Sequence, residues 1–143
     1  MLEEYHVSCD INDMDIDVIH GFISNSYWAK GIPRETLIKG MQNSLCFAVL
    51  DTKQRQVGFA RMITDKTSFA YLADVFVLPT FQGKGLSKLL MTSIVEHPDL
   101  QGLRRMMLNT SDAHGLYEKY GFKSLSAPEK CMEKWQPRIY EKS

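Results

Sequence analysis

Hydrophobic and polar residues change from strand spacing to helical spacing along the first part of the chain. Residues 2–8 predict a first strand. Asp13 has the side chain of a helix N-cap, and the apolar residues after it share one helical face. These apolar residues are Met14, Ile16, Val18, Ile19, Phe22 and Ile23. The Gly-Ile-Pro break at 31–33 then favours a second helix over about residues 33–43, with Pro33 in its first turn.

Three apolar segments follow, each separated from the next by a short polar turn. They cover residues 45–50, 57–63 and 69–78. The third is rich in aromatic and β-branched residues and ends before Pro79, as is typical of strands. Because the connections are short, we expect the three strands to form an antiparallel meander.

The second half returns to alternating helices and strands. Apolar residues at helical spacing follow Gly85 and end near His97, and residues 104–110 predict a strand. Asp112 is expected to cap a short helix that continues through Tyr120. Residues 122–125 and 130–135 are expected to form two closing strands. This order predicts a mixed sheet with helices on both faces, in the α/β (α+β) class.

The charge balance excludes one large class of binding protein. Lys+Arg and Asp+Glu each number 17, so the formal net charge is +0. Bulk electrostatic binding of nucleic acid needs a basic face, so no nucleic-acid partner is expected. No apolar run reaches the ~18 residues of a membrane-spanning helix. Residues 1–4 do not have the pattern of a signal peptide, so we expect a cytoplasmic protein without a membrane partner.

Disulfide and metal sites are not predicted either. The three cysteines lie far apart and form no CxxC pair, which favours free thiols. They are Cys9, Cys46 and Cys131. Three histidines also lack the spacing of metal ligands, namely His6, His20 and His97.

The most informative segment is Gln82-Gly83-Lys84-Gly85-Leu86-Ser87, a loop between a strand and a helix. Glycines allow close approach of a ligand to the backbone, and a helix N-terminus attracts anions. Lys84 and Lys88 lie four residues apart and share a face. The loop fits neither the P-loop nor the dinucleotide fingerprint. A phosphate or pyrophosphate site and a simple solvated turn therefore both remain open from this loop alone.

A second motif decides between these alternatives. Leu116-Tyr117 and Gly121-Phe122 give the pattern LYxxxGF downstream of the loop. Together the two motifs resemble the GNAT superfamily of acyl-CoA-dependent N-acetyltransferases, which has Gln/Arg-x-x-Gly-x-Gly/Ala after its fourth strand and LYxxxGF after its fifth. Ser87 is a departure, since the family usually has Gly or Ala there, but its side chain is small. The matched motifs cover residues 74–122.

The resemblance implies one acyl-CoA N-acyltransferase-like domain over residues 1–143, with a mostly antiparallel sheet of six to seven strands splayed between strands 4 and 5. It implies acetyl-CoA as the donor co-substrate and no metal, and it leaves a homodimer open. The implied acetyl-CoA-binding residues are Val75, Phe76 and Val77 for the pantetheine arm, Gln82, Gly83, Lys84, Gly85, Leu86, Ser87 and Lys88 for the pyrophosphate, and Tyr117. The Val77 amide would also stabilise the developing oxyanion.

The resemblance also assigns candidate catalytic groups. Tyr117 is the candidate general acid that protonates the leaving thiolate, or it only orients the sulfur. Asp74, on an otherwise apolar strand, is the candidate general base, with a structural hydrogen-bonding role as the alternative. His114 and a chain of water molecules are rivals for the base.

The acceptor site is expected between the first two helices, as in the family. Tyr27 and Trp28 precede the break at 31–33 and would form an aromatic wall that attracts a cationic amine. Alternatively they pack into the junction between the helices. Phe69 and Tyr71 would complete the wall or belong to the core.

Two functions therefore follow from the sequence. The first is an N-acetyltransferase that acts on a primary amine of a small molecule or peptide by direct attack in a ternary complex. The second is a non-catalytic acyl-CoA-binding or regulatory module on the same fold.

Overall fold

Five strands form one sheet within residues 4–141, which are the residues that the structure, a computed structural model, describes. The strands lie side by side in chain order. They are β1 (His6–Ser8), β2 (Leu45–Leu50), β3 (Gln56–Thr64), β4 (Phe69–Val77) and β5 (Arg105–Leu108). β1 to β4 pair antiparallel, and β5 pairs parallel to β4. The antiparallel meander that the short turns predict is confirmed.

Helices cover both faces of this sheet, as the sequence predicts. They are α1 (Ile16–Ile23), α2 (Arg34–Gln42), α3 (Leu86–Glu96) and α4 (His114–Glu118). On one face, α1 and α2 bury Ile19, Ile23 and Leu37 against the sheet. On the other face, α3 buries Leu90 and Ile94. Successive side chains of β2 and β3 point to opposite faces of the sheet, so each strand supplies apolar side chains to both layers.

The predicted splay between the fourth and fifth strands is present. The last paired residues are Leu72 and Leu108, and β4 continues beyond them to Val77. β4 also contains a bulge, because Phe59 pairs with Phe76 whereas Arg61 pairs with Ala73. One residue of β3 therefore opposes two residues of β4, which bends the strand and increases its twist.

The structure corrects two predicted helix caps. Asp13 lies in a short 3-10 turn, and the N-cap of α1 is Asp15, whose carboxylate accepts hydrogen bonds from two main-chain amides of the first turn. Asp112 does not cap α4, because the helix begins at His114 and its N-cap, Ala113, has no capping side chain. The first error arises because several Asp residues near the start of α1 offer equally suitable side chains. The second arises because α4 begins one residue later than a cap at Asp112 requires.

The two closing strands predicted over residues 122–125 and 130–135 are wrong. Both segments are irregular apart from a 3-10 turn at Pro128–Lys130, so the described chain has five strands rather than six to seven. Met132 is 98% exposed and Trp135 is 71% exposed, so these apolar residues have no sheet or core to pack against. A short apolar run favours a strand only where a neighbouring edge pairs with it.

No helix among residues 4–141 has both the length and the apolar character needed to cross a membrane. The cytoplasmic location and the homodimer stay predictions, as does a single domain over residues 1–143.

Candidate active site

The glycine loop lies at the end of β4 and leads directly into α3. Gly83 and Gly85 both have φ of +81°, in the left-handed region that favours glycine. Gly85 is the N-cap of α3. The Gln82 side chain folds back, and its Nε2 donates to the Val77 carbonyl oxygen at 3.0 Å. The loop is therefore fixed to the end of the strand through the Gln82 side chain.

A cavity of about 180 Å³ opens on this loop. Its lining combines the end of β4, the loop, the first turn of α3 and one residue of α4. The lining residues are Val77, Phe81, Gln82, Gly83, Gly85, Leu86, Ser87, Lys88 and Leu116. The first amides of α3 lack partners within the helix and carry its positive end. This cavity has the chemistry of an anion site, and its lining contains residues of the glycine loop and Leu116 of the second motif.

The main chain of β4 presents polar groups to the splay. The Leu78 amide donates to the Val57 carbonyl oxygen at 2.9 Å, so these two residues form a hydrogen-bonded pair of the ladder. The neighbouring pair, Gly58 and Val77, is therefore not hydrogen-bonded to each other, and each residue points its N–H and C=O groups away from the partner strand. The Val77 N–H consequently faces the β5 side, where the strands have separated. Phe76, which belongs to the next pair, faces β3 instead.

Tyr117 lies on α4 and is buried in the core on the α3 face of the sheet. Burial raises the pKa of its hydroxyl, and the charges of Asp112 and Tyr27 raise it further. The phenol consequently stays protonated at neutral pH and has a proton to donate. Tyr117 also lines a larger cavity of about 1140 Å³ beside β5. His114 lines the same cavity from the start of α4.

Asp74 occupies the bulge of β4 and is 8% exposed. Its Oδ1 accepts a hydrogen bond from Trp28 Nε1 at 2.8 Å, and its Oδ2 accepts one from Arg61 Nε at 2.7 Å. Both carboxylate oxygens thus have donors in the protein. Arg61 was not predicted from the sequence. The signal available was an arginine on the apolar strand that precedes the strand of Asp74.

Tyr27 and Trp28 lie at the other end of the splay from the glycine loop. Trp28 bonds to Asp74 on β4, while the Tyr27 hydroxyl lies 3.0 Å from Ser111 Oγ, beyond β5. The two rings meet edge to face at 5.1 Å. Tyr27 is 73% exposed and Trp28 is 39% exposed, so neither fills a buried seam. The dipeptide bridges the two sides of the splay.

The two aromatic residues predicted to complete the wall have different positions. Tyr71 is half-buried on β4. Burial raises the pKa of Tyr71, as do the charges of Asp74 and Glu133. Phe69 begins β4, opposite Arg105, and no ring contact joins it to Tyr27 or Trp28 among residues 4–141. Tyr71 therefore lies within electrostatic reach of Asp74, whereas Phe69 lies farther along the strand.

The C-terminal segment also reaches this end of the splay, which the sequence did not predict. Pro128 borders the cavity beside β5. Tyr140 packs on the core beneath α1 and α2, and a Cβ added at Gly31 would lie 2.7 Å from the Tyr140 carbonyl oxygen. Residues 131–139 thus connect the β5 side to the α1–α2 junction. Glu133 lies on this segment and acts electrostatically on Tyr71.

The family is decided by comparison with known proteins. The family described as Acetyltransferase (GNAT) domain matches residues 42–124, which is more than half of the chain. This chain belongs to the GNAT acetyltransferase family. The match includes both sequence motifs, but Tyr27, Trp28 and the C-terminal segment lie outside it.

Whole-chain relatives agree with this assignment. A GNAT-family protein of Xanthomonas campestris has a crystal structure that superposes with a TM-score of 0.94 at 49% identity, covering 96% of this chain and 97% of that chain. A Gibberella zeae protein, whose name gives acetyl transfer as a provisional activity, is 33% identical over 81% of this chain and 77% of its own. A Deinococcus radiodurans structure shares the fold, with a TM-score of 0.76 at 18% identity, over 98% of this chain and 94% of that chain.

The GNAT fold generally binds acetyl-CoA, and the residues at the loop fit this substrate. Gly83 and Gly85 keep the backbone accessible, and α3 directs its N-terminus at the cavity. Lys88 lines that cavity and Lys84 lies in the same loop, so both supply positive charge near a pyrophosphate. The splay beside Val77 leaves room for an extended arm to pair with β4. No metal-binding group of His, Cys, Asp and Glu occurs among residues 4–141.

Proposed function

We propose that this GNAT protein transfers the acetyl group of acetyl-CoA to a primary amine by direct attack in a ternary complex. The observation that carries the proposal is the splay between β4 and β5, which connects the loop cavity to Tyr27 and Trp28. A donor bound at one end and an acceptor bound at the other would meet beside Val77. Holding two reactants in such an arrangement supplies much of the rate enhancement of a bimolecular transfer.

On the donor side, main-chain groups do most of the binding. The amides from Gly83 to Lys88 hold the pyrophosphate, and the free edge of β4 pairs with the pantetheine arm. The Val77 N–H faces the splay, so it is placed to polarise the thioester carbonyl and to stabilise the oxyanion that forms during attack. Phe76 directs its main-chain groups to β3, so its contribution is through packing.

Tyr117 donates a proton to the departing thiolate. Its raised pKa keeps the hydroxyl protonated, which this role requires. The bond between the acetyl carbon and sulfur breaks as the amine nitrogen forms its bond to the same carbon. The thiolate then takes the phenolic proton, the acylated nitrogen releases its extra proton to solvent, and solvent returns a proton to Tyr117 before the next cycle.

The acceptor side favours a cationic amine. The aromatic faces of Tyr27, Trp28 and Tyr71 attract positive charge. The carboxylates of Asp112 and Glu133 lie near Tyr117 and Tyr71, respectively.

The reacting ammonium must lose a proton before attack. Since both Asp74 oxygens already accept hydrogen bonds, we assign proton removal to water or to the exposed His114.

A second function is a non-catalytic acyl-CoA-binding module. The observation that favours it is the engagement of Asp74, which leaves the predicted general base without a free oxygen. Such a module would bind acetyl-CoA through the same loop without transferring its acetyl group.

The two functions differ in one measurement. Purified protein is incubated with acetyl-CoA and a panel of monoamines, diamines, amino acids and peptides, and free thiol release is followed. The enzyme is expected to release thiol with at least one amine, whose mass increases by one acetyl group. Saturable acetyl-CoA binding without thiol release from any amine contradicts the transferase and supports the module.

A further inference from the structure

The strongest unassigned feature is a chain of hydrogen bonds that joins α2 to the acceptor end of the splay. It consists of Ser44, Arg61, Asp74 and Trp28, and we refer to it as the Asp74 network. We propose that Arg61 and Asp74 are positioning residues that hold the Trp28 ring at the acceptor site. This inference rests on the proposed function, because that function gives Trp28 an acceptor to contact.

The geometry of the Asp74 network is continuous. Ser44 Oγ donates to the Gly40 carbonyl oxygen at 2.7 Å, and Arg61 NH1 donates to Ser44 Oγ at 3.1 Å. Arg61 Nε donates to Asp74 Oδ2 at 2.7 Å, and Trp28 Nε1 donates to Asp74 Oδ1 at 2.8 Å. Bonds to an ionised acceptor are stronger than those between neutral groups. Trp28 is therefore connected to the C-terminal end of α2 without a gap.

The backbone around the network is shaped to place these side chains. Asp74 has φ of +55°, in the left-handed region that few residues other than glycine, Asn and Asp adopt. This conformation belongs to the bulge of β4, and bulges redirect side chains near functional sites. On the other side, the Arg61 guanidinium packs on Gly40, where an added Cβ would lie 3.4 Å from NH1.

Burial indicates why the network persists. The Asp74 side chain is 6% exposed and the Arg61 side chain is 19% exposed. A buried carboxylate without hydrogen-bond donors is unfavourable, so the structure in which both Arg61 and Trp28 donate to Asp74 is stabilised. Trp28 is itself more exposed, at 39%, and besides this bond it has ring contacts with Phe22 and Tyr27. The bond to the buried ion pair is its one hydrogen bond among the described residues, so we expect this bond to restrain the direction of the ring.

This role differs from general-base catalysis in what it predicts. A base acts on the reacting amine, so its loss lowers kcat and changes the pH profile. A positioning residue acts through Trp28, so its loss raises the acceptor KM and leaves kcat and acetyl-CoA affinity unchanged. Moreover, Arg61 and Trp28 cannot act as bases, so only the positioning role predicts that changing them gives the same phenotype as changing Asp74.

The kinetic experiment compares four variants of the full chain. Arg61→Lys keeps the charge but loses the two-pronged geometry, Trp28→Phe removes the indole donor, and Asp74→Asn removes the carboxylate charge while tolerating positive φ. Each is expected to raise the acceptor KM by about tenfold, the effect of one hydrogen bond to a charged group. Arg55→Gln is the matched control, because it breaks another arginine–aspartate pair, in which an exposed Arg55 bonds to the buried Asp51 in the β2–β3 turn.

A fluorescence experiment gives a readout that does not need activity. In a Trp135→Phe background, Trp28 is the one remaining tryptophan, since the chain contains two. Acrylamide quenching of Trp28 is expected to increase in Arg61→Lys and Asp74→Asn relative to the background, and to stay unchanged in Arg55→Gln. Circular dichroism verifies that each variant is folded.

The outcomes separate this inference from the proposed function. Increased quenching together with a selective rise in acceptor KM supports the positioning role. Unchanged quenching in both network variants overturns it, whether or not the wild-type protein releases thiol. A sharp loss of kcat in Asp74→Asn alone, with Arg61→Lys and Trp28→Phe like the control, also overturns it and makes Asp74 a catalytic residue. Absence of thiol release in the wild type contradicts the proposed function alone, because quenching still tests the restraint on Trp28.

Discussion

The two ends of the splay between β4 and β5 are built in different ways. At the donor end, one short segment from Gln82 to Lys88 contributes all of its residues except Lys84 to the lining of one cavity. At the acceptor end, Trp28 bonds to Asp74 and the neighbouring Tyr27 bonds to Ser111, so three distant parts of the chain meet through side-chain hydrogen bonds. A site made of amides depends on backbone conformation, whereas a site made of side chains depends on the identity of each residue.

This difference predicts separate sensitivities. Substitutions at the donor end affect acetyl-CoA when they change φ, as at the two left-handed glycines. Substitutions at the acceptor end affect the amine when they remove a hydrogen bond or a ring. Tyr117 lies between the two ends and is expected to affect the chemical step itself.

The largest effect is expected for Tyr117→Phe, which removes the hydroxyl and retains the ring. Loss of general acid assistance lowers turnover by about 10²–10⁴-fold. Acetyl-CoA affinity should change little, since the loop is untouched. Steady-state thiol release gives kcat, and calorimetry gives the affinity. Tyr120→Phe is the control, because it removes a hydroxyl from the turn that follows α4. That hydroxyl bonds to the Lys88 carbonyl oxygen in α3. Equal kcat in the two variants would show that the Tyr117 hydroxyl does not take part in the chemical step.

The pH profile sharpens this assignment. Burial and the charges of Asp112 and Tyr27 raise the Tyr117 pKa above its usual value, so the donor form persists as pH increases. With a saturating amine, kcat should not fall on the alkaline side until beyond about pH 10, the ordinary value for tyrosine. A descending limb that appears well below that pH, absent from Tyr117→Phe, would mean that the phenol loses its proton too early to serve as the acid.

The next effect concerns stability at the acceptor end. Asp74→Asn breaks the ion pair with Arg61, whose side chain is mostly buried. Removing one member of a buried pair lowers the free energy of unfolding by about 3–5 kcal/mol. Denaturant unfolding measures this change. Because the double variant Asp74→Asn with Arg61→Gln removes both charges, it should recover part of the loss. No recovery would show that the two residues are energetically independent.

A smaller effect is expected for Gly85→Val at the donor end. Valine strongly disfavours the φ of +81° at this position, and left-handed backbone costs about 1–2 kcal/mol for residues with a Cβ. We expect acetyl-CoA affinity to fall by about tenfold as the loop shifts. Gly102→Val is the matched control, since Gly102 has φ of +71° and lies outside the loop. If both variants bind acetyl-CoA equally well, the loop is not the binding site.

The smallest effect is expected for Tyr27→Phe. The change removes the exposed contact with Ser111 Oγ and keeps the ring that faces Trp28. Because a neutral hydrogen bond contributes about 0.5–1.5 kcal/mol and this one is open to solvent, the acceptor KM should rise by about threefold. Two-substrate kinetics with Tyr27→Phe and Tyr27→Ala separates the hydroxyl from the ring. A larger rise in the KM for acetyl-CoA than in the KM for the amine would contradict the assignment of Tyr27 to the acceptor end.

The sequence predicted most secondary structure because each element carries its own signal. β2 was predicted with its observed bounds, and the start of α3 at Leu86 follows from the glycine before it. The predicted closing strands at 122–125 and 130–135 were wrong, because strand formation depends on a partner edge that the local pattern does not specify.

The candidate donor loop could be predicted from the sequence because its conformation is local. Positive φ at Gly83 and Gly85 and the helix that follows are properties of adjacent residues, so the pattern itself indicates the loop. Tyr117 was predicted from a motif of only a few residues, and its role as the acid stays a prediction.

The acceptor end was decided by tertiary structure. Arg61 and Asp74 meet because β3 and β4 pair around a bulge, and Trp28 reaches Asp74 because α1 packs on that face of the sheet. Tyr140 reaches Gly31 only after the C-terminal segment has crossed from the β5 side. Such contacts join residues far apart in the chain through side chains, and no local pattern encodes which distant partner satisfies a buried charge.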